Sequence, residues 1–127
     1  MASSFNLLLP PHLSSEQLKY IQHLYDHTIP CLSDRFPDAY CRVWMRAKNK
    51  DGYSAHRVPK NMKKHSASTM VHRFLWEMFH NGKIGKSSKG EELTIEHRCG
   101  RTDCVNLRHL ELLPRKMNIE LGDPRKL

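Results

Sequence analysis

A stripe of Leu18, Ile21, Leu24 and Tyr25 recurs at helical spacing near the start of the chain, and Ser14-x-x-Gln17 just before it forms a capping box. This predicts a first helix that Ile29-Pro30 ends. A second apolar face, Val71, Leu75, Met78 and Phe79 with Phe74 and Trp76 beside it, predicts a helix over 68–80, capped by Ser68 and stopped by Gly82. Between them the pattern changes period. Tyr40 to Arg46 alternates in part, Tyr53 to Val58 resumes the alternation, and Asp51-Gly52 between them predicts a β-hairpin. Further on, Leu93-Thr94-Ile95 reads as a short strand leading into His97, with Leu110 to Leu113 as its return strand. Pro114 to Leu121 reads as a closing helix that ends at Gly122. The expected class is α+β, with a ββα unit in the C-terminal half.

The length of 127 residues allows one domain, expected here as an N-terminal helical extension over 1–30 and a main domain over 31–127. So small a core often needs a metal or a partner subunit. The Phe5 to Leu9 run is short, lacks a basic flank and stops at Pro10-Pro11, so no signal peptide is read there. No segment approaches the ~20 apolar residues of a membrane span. The expectation is an intracellular protein, cytoplasmic or nuclear according to host, not secreted, with reduced thiols that favour metal over disulfide.

The net charge of +8 is unevenly spread, since residues 1–30 carry only Lys19 against Glu16 and Asp26. Arg42, Arg46, Lys48, Lys50, Arg57, Lys60, Lys63 and Lys64 form a basic stretch interrupted by a single acid, Asp51. Lys83, Lys86 and Lys89 form a second cluster. Such loops suit a polyphosphate partner, and a basic hairpin fits the major groove of double-stranded DNA. A solvated basic face is the plainer alternative.

The candidate chemistry sits in Cys99-x4-Cys104-x4-His109, which offers three of the four ligands of a structural zinc. Spacing alone leaves the fourth ligand open between Cys41 and Cys31. His97 and Asn118 flank this loop on either side.

Glu96-His97 followed by Cys104-Val105-Asn106-Leu107-x-His109-Leu110-Glu111 resembles the Asp/Glu-His…Cys-Val-Asn-Pro-x-His-Leu pattern of HNH endonucleases. It is most similar to their zinc-binding His-Me finger branch, which includes the His-Cys box homing endonucleases. Upstream, Cys41-Arg42-Val43-Trp44, Asp51-Gly52-Tyr53 and Val71-His72-Arg73-Phe74-Leu75-Trp76-Glu77 resemble elements of phage HNH members, in the same order. Leu107 stands where the family often has Pro, and Glu96 where many relatives have Asp. The resemblance implies a ββα-metal core stapled by zinc on Cys41, Cys99, Cys104 and His109. It implies His97 as the general base, Asn118 as a ligand of a catalytic magnesium (or manganese) ion, Glu96 as a further metal contact, and Arg57 as the arginine on the phosphate. It also implies 5′-phosphate and 3′-hydroxyl products.

These roles agree with elementary chemistry. A neutral imidazole titrates near working pH and can take a proton from water. Magnesium accepts a few oxygen ligands and thiolates suit zinc, so the two metals separate by donor type. The function expected is thus a metal-dependent DNA endonuclease of homing or phage type, with Arg42, Arg46, Lys48, Lys50, Lys60, Lys63 and Lys64 on DNA. A homodimer is the simplest way to cut both strands. The alternatives are a non-catalytic zinc-containing DNA-binding module of the same fold and a non-specific nuclease. Asn106 is expected to tie the zinc loop to backbone, and His72, Trp44 and Trp76 to pack.

Overall fold

The computed structural model describes residues 9–33, 35, 40–85, 90 and 92–114. In chain order these form α1 (Ser15–Tyr25), β1 (Thr28–Cys31), β2 (Cys41–Trp44), a 3-10 turn (Lys60–Met62), α2 (Val71–Phe79), β3 (Leu93–His97), a second 3-10 turn (Leu107–His109) and β4 (Leu110–Pro114). The α+β class holds: two helices and two small antiparallel sheets, β1–β2 and β3–β4.

The first helix forms as its sequence predicts. Ser14 accepts from the Gln17 backbone N–H, and the Gln17 side chain accepts from the Ser14 N–H in return. Ile21, Leu24 and Tyr25 then face inward with at most 1% exposure. They join Val71, Phe74, Leu75, Met78, Trp44, Val58, Met62 and Val105 in one apolar core. Burying a side chain the size of Phe74 contributes about 1.5–3 kcal/mol, so this helix pair anchors the fold. The 1–30 boundary read from sequence falls inside β1, because the helix ends at Tyr25 and Ile29-Pro30 lies within that strand. Thr28 Oγ1 donates to the Tyr25 carbonyl (2.6 Å) and turns the chain from helix into strand.

The central hairpin differs from expectation. The strand Cys41–Trp44 pairs with β1 in the register Thr28↔Trp44 to Cys31↔Cys41, not with residues 53–58. Its other edge meets the zinc-loop segment: Trp44 N–H donates to Asp103 O (2.9 Å), Val105 N–H donates to Arg42 O (2.8 Å), and Val43 bridges Cys104. Both edges of β2 are therefore occupied before residues 53–58 could reach it. The Asp51-Gly52 turn survives as a tight reversal with one bridge, Lys48↔Ser54. Gly52 takes φ +84° there, a conformation that strains any side chain.

The second helix starts at Val71, and Ser68 is not its cap. Ser54 caps it instead, its carbonyl accepting from the Val71 N–H (3.2 Å) and its hydroxyl from the His72 N–H (3.4 Å). The helix stops one residue earlier than Gly82 suggested. Asn81 adopts φ +52°, its N–H reaches Met78 O, and Gly82 N–H reaches Glu77 O (3.2 Å), which is a Schellman closure. Glu77 is buried but satisfied, accepting from Ser66 Oγ and from the Ile84 N–H (2.6 Å). The strands β3 and β4 pair as expected, Leu93↔Pro114 through His97↔Leu110. Pro114, expected to open the closing helix, is instead the last residue of β4. The rest of that expected helix, with Asn118, lies outside the described residues, as do Lys86 and Lys89.

Candidate functional site

Separate parts of the chain meet at the end of β3. The start of β2 supplies Cys41, the turn after β3 supplies Cys99, the segment beside β2 supplies Cys104, and the 3-10 turn before β4 supplies His109. Their ligand atoms all lie within 4.8 Å of one another. His109 Nδ1 is 3.6 Å from both Cys41 Sγ and Cys104 Sγ. Metal–ligand bonds of about 2.3 Å to sulfur and 2.0–2.1 Å to nitrogen at tetrahedral angles separate such atoms by about 3.5 Å. The cluster thus has the dimensions and the soft donor set of a zinc site, and these four residues could hold the ion. Cys31, the rival fourth ligand, sits opposite Cys41 in the β1–β2 register and packs half-buried against the cluster, outside the set of four.

Without a cation the three thiols of the cluster are unequal. Hydrogen bonding from Cys104, against the opposing effect of burial, draws the Cys99 thiol down to about 5. Burial and the neighbouring Cys99 push Cys41 up to about 11, and the hydrogen bond to Cys99 together with burial pushes Cys104 up as well. Without a cation one thiolate is held by the protons of its neighbours. A bound divalent cation reverses that balance and favours all three thiolates.

The loop is braced from several sides. Asn106 accepts from the Arg108 N–H and donates to Tyr40 O (2.7 Å), the backbone tie expected of it. Tyr25 OH donates to Val105 O (3.2 Å), joining α1 to the loop. Asp103 is buried; it accepts from Arg101 (2.9 Å) and Lys48 (3.0 Å). Thr102 Oγ1 donates to Gly52 O (3.2 Å), which fixes the 49–52 turn over the same loop. Gly100, at φ +85°, returns its N–H to His97 O (3.0 Å).

His97 ends β3 only two residues before Cys99 and is 3% exposed. Its ring lies 4.5 Å from that of His72 and 5.5 Å from that of Tyr53, centroid to centroid. Burial first, then the proximity of His97 and Arg73, holds His72 well below the usual imidazole range, so this ring stays neutral. Three motifs far apart in sequence, Asp51-Gly52-Tyr53, Val71-His72-Arg73 and Glu96-His97, therefore converge on one imidazole. Sequence reasoning alone does not place Tyr53 or His72 at the site. The signal lies in the Gly-Tyr and His-Arg blocks, whose contact with His97 needs the tertiary fold to become visible.

The remaining candidates are spread out. Glu96 is buried and stands opposite Glu111 in the β3–β4 register, while Arg98 forms an ion pair with Glu111. Arg57 is exposed, and its carbonyl accepts from Tyr20 OH (3.3 Å) at the α1 side of the molecule. Arg46, Lys50, Lys60, Lys63 and Lys64 are exposed as well. Two basic candidates are engaged within the protein. The Arg42 guanidinium donates to Thr28 Oγ1 (2.7 Å from Nη2), and Lys48 pairs with Asp103. Among the described residues no helix is long and apolar enough to cross a membrane.

A zinc-capable Cys3His cluster, with a buried histidine beside it at a strand end, defines the class. The family described as the zinc-binding loop region of homing endonuclease matches residues 19–122, and the chain belongs to it. The chain is also 33% identical over 81 residues to the uncharacterized gene 5.3 protein of Enterobacteria phage T3, covering 63% of this chain and 74% of that protein. No solved structure gives a significant match.

Proposed function

We propose that this chain is a metal-dependent DNA endonuclease in which His97 is the general base. The observation that supports this most directly is the placement of His97: on the last residue of β3, two residues before Cys99, and enclosed by Tyr53 and His72. A purely structural zinc loop needs no second imidazole there. His97, as a neutral ring, takes a proton from the water that attacks the phosphorus, and its burial means that DNA must open the site to that water. Asn118 and Glu96 are the oxygen donors assigned to magnesium, and Glu96 is the one of the two among the described residues. When bound, the cation supplies positive charge to the phosphate and to the leaving 3′ oxygen. Arg57 adds a guanidinium on the phosphate.

The exposed Arg46, Lys50, Lys60, Lys63 and Lys64 carry the DNA backbone in this reading, with Lys83 alongside. One chain holds one His97, so cutting both strands takes two copies or two successive nicks. The test is incubation of the purified protein with supercoiled plasmid, with and without magnesium, beside His97→Ala. Magnesium-dependent relaxation or linearisation that disappears in the variant is the expected result. Plasmid retardation with no cleavage under any divalent metal, on DNA containing a bound site, would make the protein a DNA-binding module instead.

A further inference from the structure

We propose that His72 is a positioning residue that sets the orientation of the His97 imidazole, a role that rests on the reading of His97 as the general base. The second residue of α2, His72 is locked at its backbone, where the N–H donates to Ser54 Oγ (3.4 Å). Its ring is 3% exposed, and Nδ1 has no hydrogen-bond partner among the described residues, so packing holds the ring at that atom.

What it packs against is specific. Tyr53 stacks on it, 5.5 Å away with planes 29° apart. His97 lies 4.5 Å away and tilted by 59°, beside Tyr53, which itself reaches His97 at 5.5 Å. The three rings form a closed triangle at ordinary aromatic contact distances. The backbone of His97 is fixed by β3 and by the Gly100 turn, and its side-chain torsions are restricted by the rings packed on it. His72 and Tyr53 occupy space that other His97 rotamers would need. The other buried hydrophobic positions of α2, Val71, Phe74, Leu75 and Met78, serve the main core. His72 faces out of that set and onto the proposed base.

A general base misplaced by about 1 Å can lose on the order of a hundredfold in rate. His72→Ala should therefore lower the single-turnover rate on supercoiled plasmid by about ten- to a hundredfold at saturating protein, with plasmid affinity and zinc content unchanged. His72→Phe restores a ring and should restore most of the rate. Crystal structures of the two variants give a readout that does not depend on cleavage: His97 displaced or split between rotamers in His72→Ala, and in a single wild-type rotamer in His72→Phe. Should His72→Ala not fold, His72→Val, which vacates part of the space the ring occupies, carries the same expectation in smaller degree. A folded His72→Ala with wild-type rate and an unmoved His97 overturns the proposal, as does a His72→Phe that restores neither. If the wild-type protein cuts no plasmid, the nuclease reading fails while the crystallographic comparison still decides the positioning role.

Discussion

Cys41 Sγ and His109 Nδ1 lie 3.6 Å apart although 68 residues separate them in sequence. An ion bridging them joins the start of β2 to the turn that launches β4, and so closes a long loop through a region with little apolar support. Among the described residues the buried apolar cluster there is small: Cys41, Val43 and Cys104, with Cys31 and Cys99 packed alongside. Apparent zinc-binding energies of such sites are on the order of 10 kcal/mol, comparable to the whole stability of a small domain. Cys41→Ser or Cys104→Ser should then lose zinc and cooperative unfolding together. Cys31→Ser should keep about one zinc per chain and a melting temperature near that of the wild type. Elemental analysis beside thermal unfolding decides it, and zinc loss in Cys31→Ser with retention in Cys41→Ser would exchange their roles.

Much of this arrangement is legible in the sequence where local rules act alone. The capping box at Ser14 and Gln17, the α1 stripe and the β3–β4 pair follow from spacing, and Cys99, Cys104 and His109 follow from ligand periodicity. Where the sequence misleads, tertiary partners displace local ones. Ser54, distant in sequence, caps α2 where Ser68 is expected. The segment 103–105 takes the edge of β2 that 53–58 is expected to fill. Arg42 reads as a free cation, yet Thr28 across the sheet accepts its donors. His72 reads as a packing residue and is one, but sequence cannot say that it packs on His97.

The Schellman closure at α2 offers a test of the fold apart from the site. Asn81 holds φ +52°, a region in which an L side chain costs about 1–2 kcal/mol and glycine almost nothing. Asn81→Gly should raise stability by up to about 1 kcal/mol, and Asn81→Val should lower it by at least that much. Urea midpoints of the zinc-saturated proteins measure both. Equal midpoints for the two variants would mean that Asn81 does not hold the left-handed position that closes α2.

Catalysis is expected to separate from folding at His97 and Asn118. Removing a general base typically costs about 10²–10⁴-fold in rate, so His97→Ala should show that loss while keeping zinc and DNA affinity. Asn118→Ala should weaken magnesium rather than the imidazole, and high magnesium should recover part of its rate. Magnesium titrations of single-turnover cleavage separate the two. Equal, wild-type rates in both variants on a verified substrate would remove both residues from the active site.

Exposed lysines in the 60–64 segment are expected to contact phosphate rather than base edges. Each lost phosphate contact flattens the slope of log affinity against log salt by about 0.9, so replacing Lys60, Lys63 and Lys64 together by Gln should flatten it by roughly 2.7. The loss should be equal on unrelated duplexes. Arg46, exposed beyond the end of β2, is the better candidate for base readout, where one contact carries about 1–3 kcal/mol of discrimination. Arg42→Ala should act on stability instead, since it removes the donors that Thr28 Oγ1 accepts from. Binding measured across salt on two sequences checks the lysines and Arg46, thermal unfolding checks Arg42→Ala, and an unchanged slope in the triple variant would place the DNA elsewhere.

Arg57 divides the proposed mechanism from simple binding. It is exposed on the α1 side, next to His56, which Tyr20 and Ser68 hold at both ring nitrogens (2.8 and 2.9 Å). That anchoring fixes the backbone at Arg57 and leaves its side chain to reach a phosphate. A guanidinium that stabilises charge only in the transition state lowers the rate when removed and leaves affinity alone, whereas one that grips the ground state does the reverse. Arg57→Ala should thus reduce single-turnover cleavage by about 10²–10³-fold, the usual cost of one lost charge-stabilising donor, with equilibrium binding within about twofold of wild type. Both are measured on the same duplex at the same salt. A loss confined to binding would make Arg57 one more phosphate contact and leave the developing charge to the metal alone.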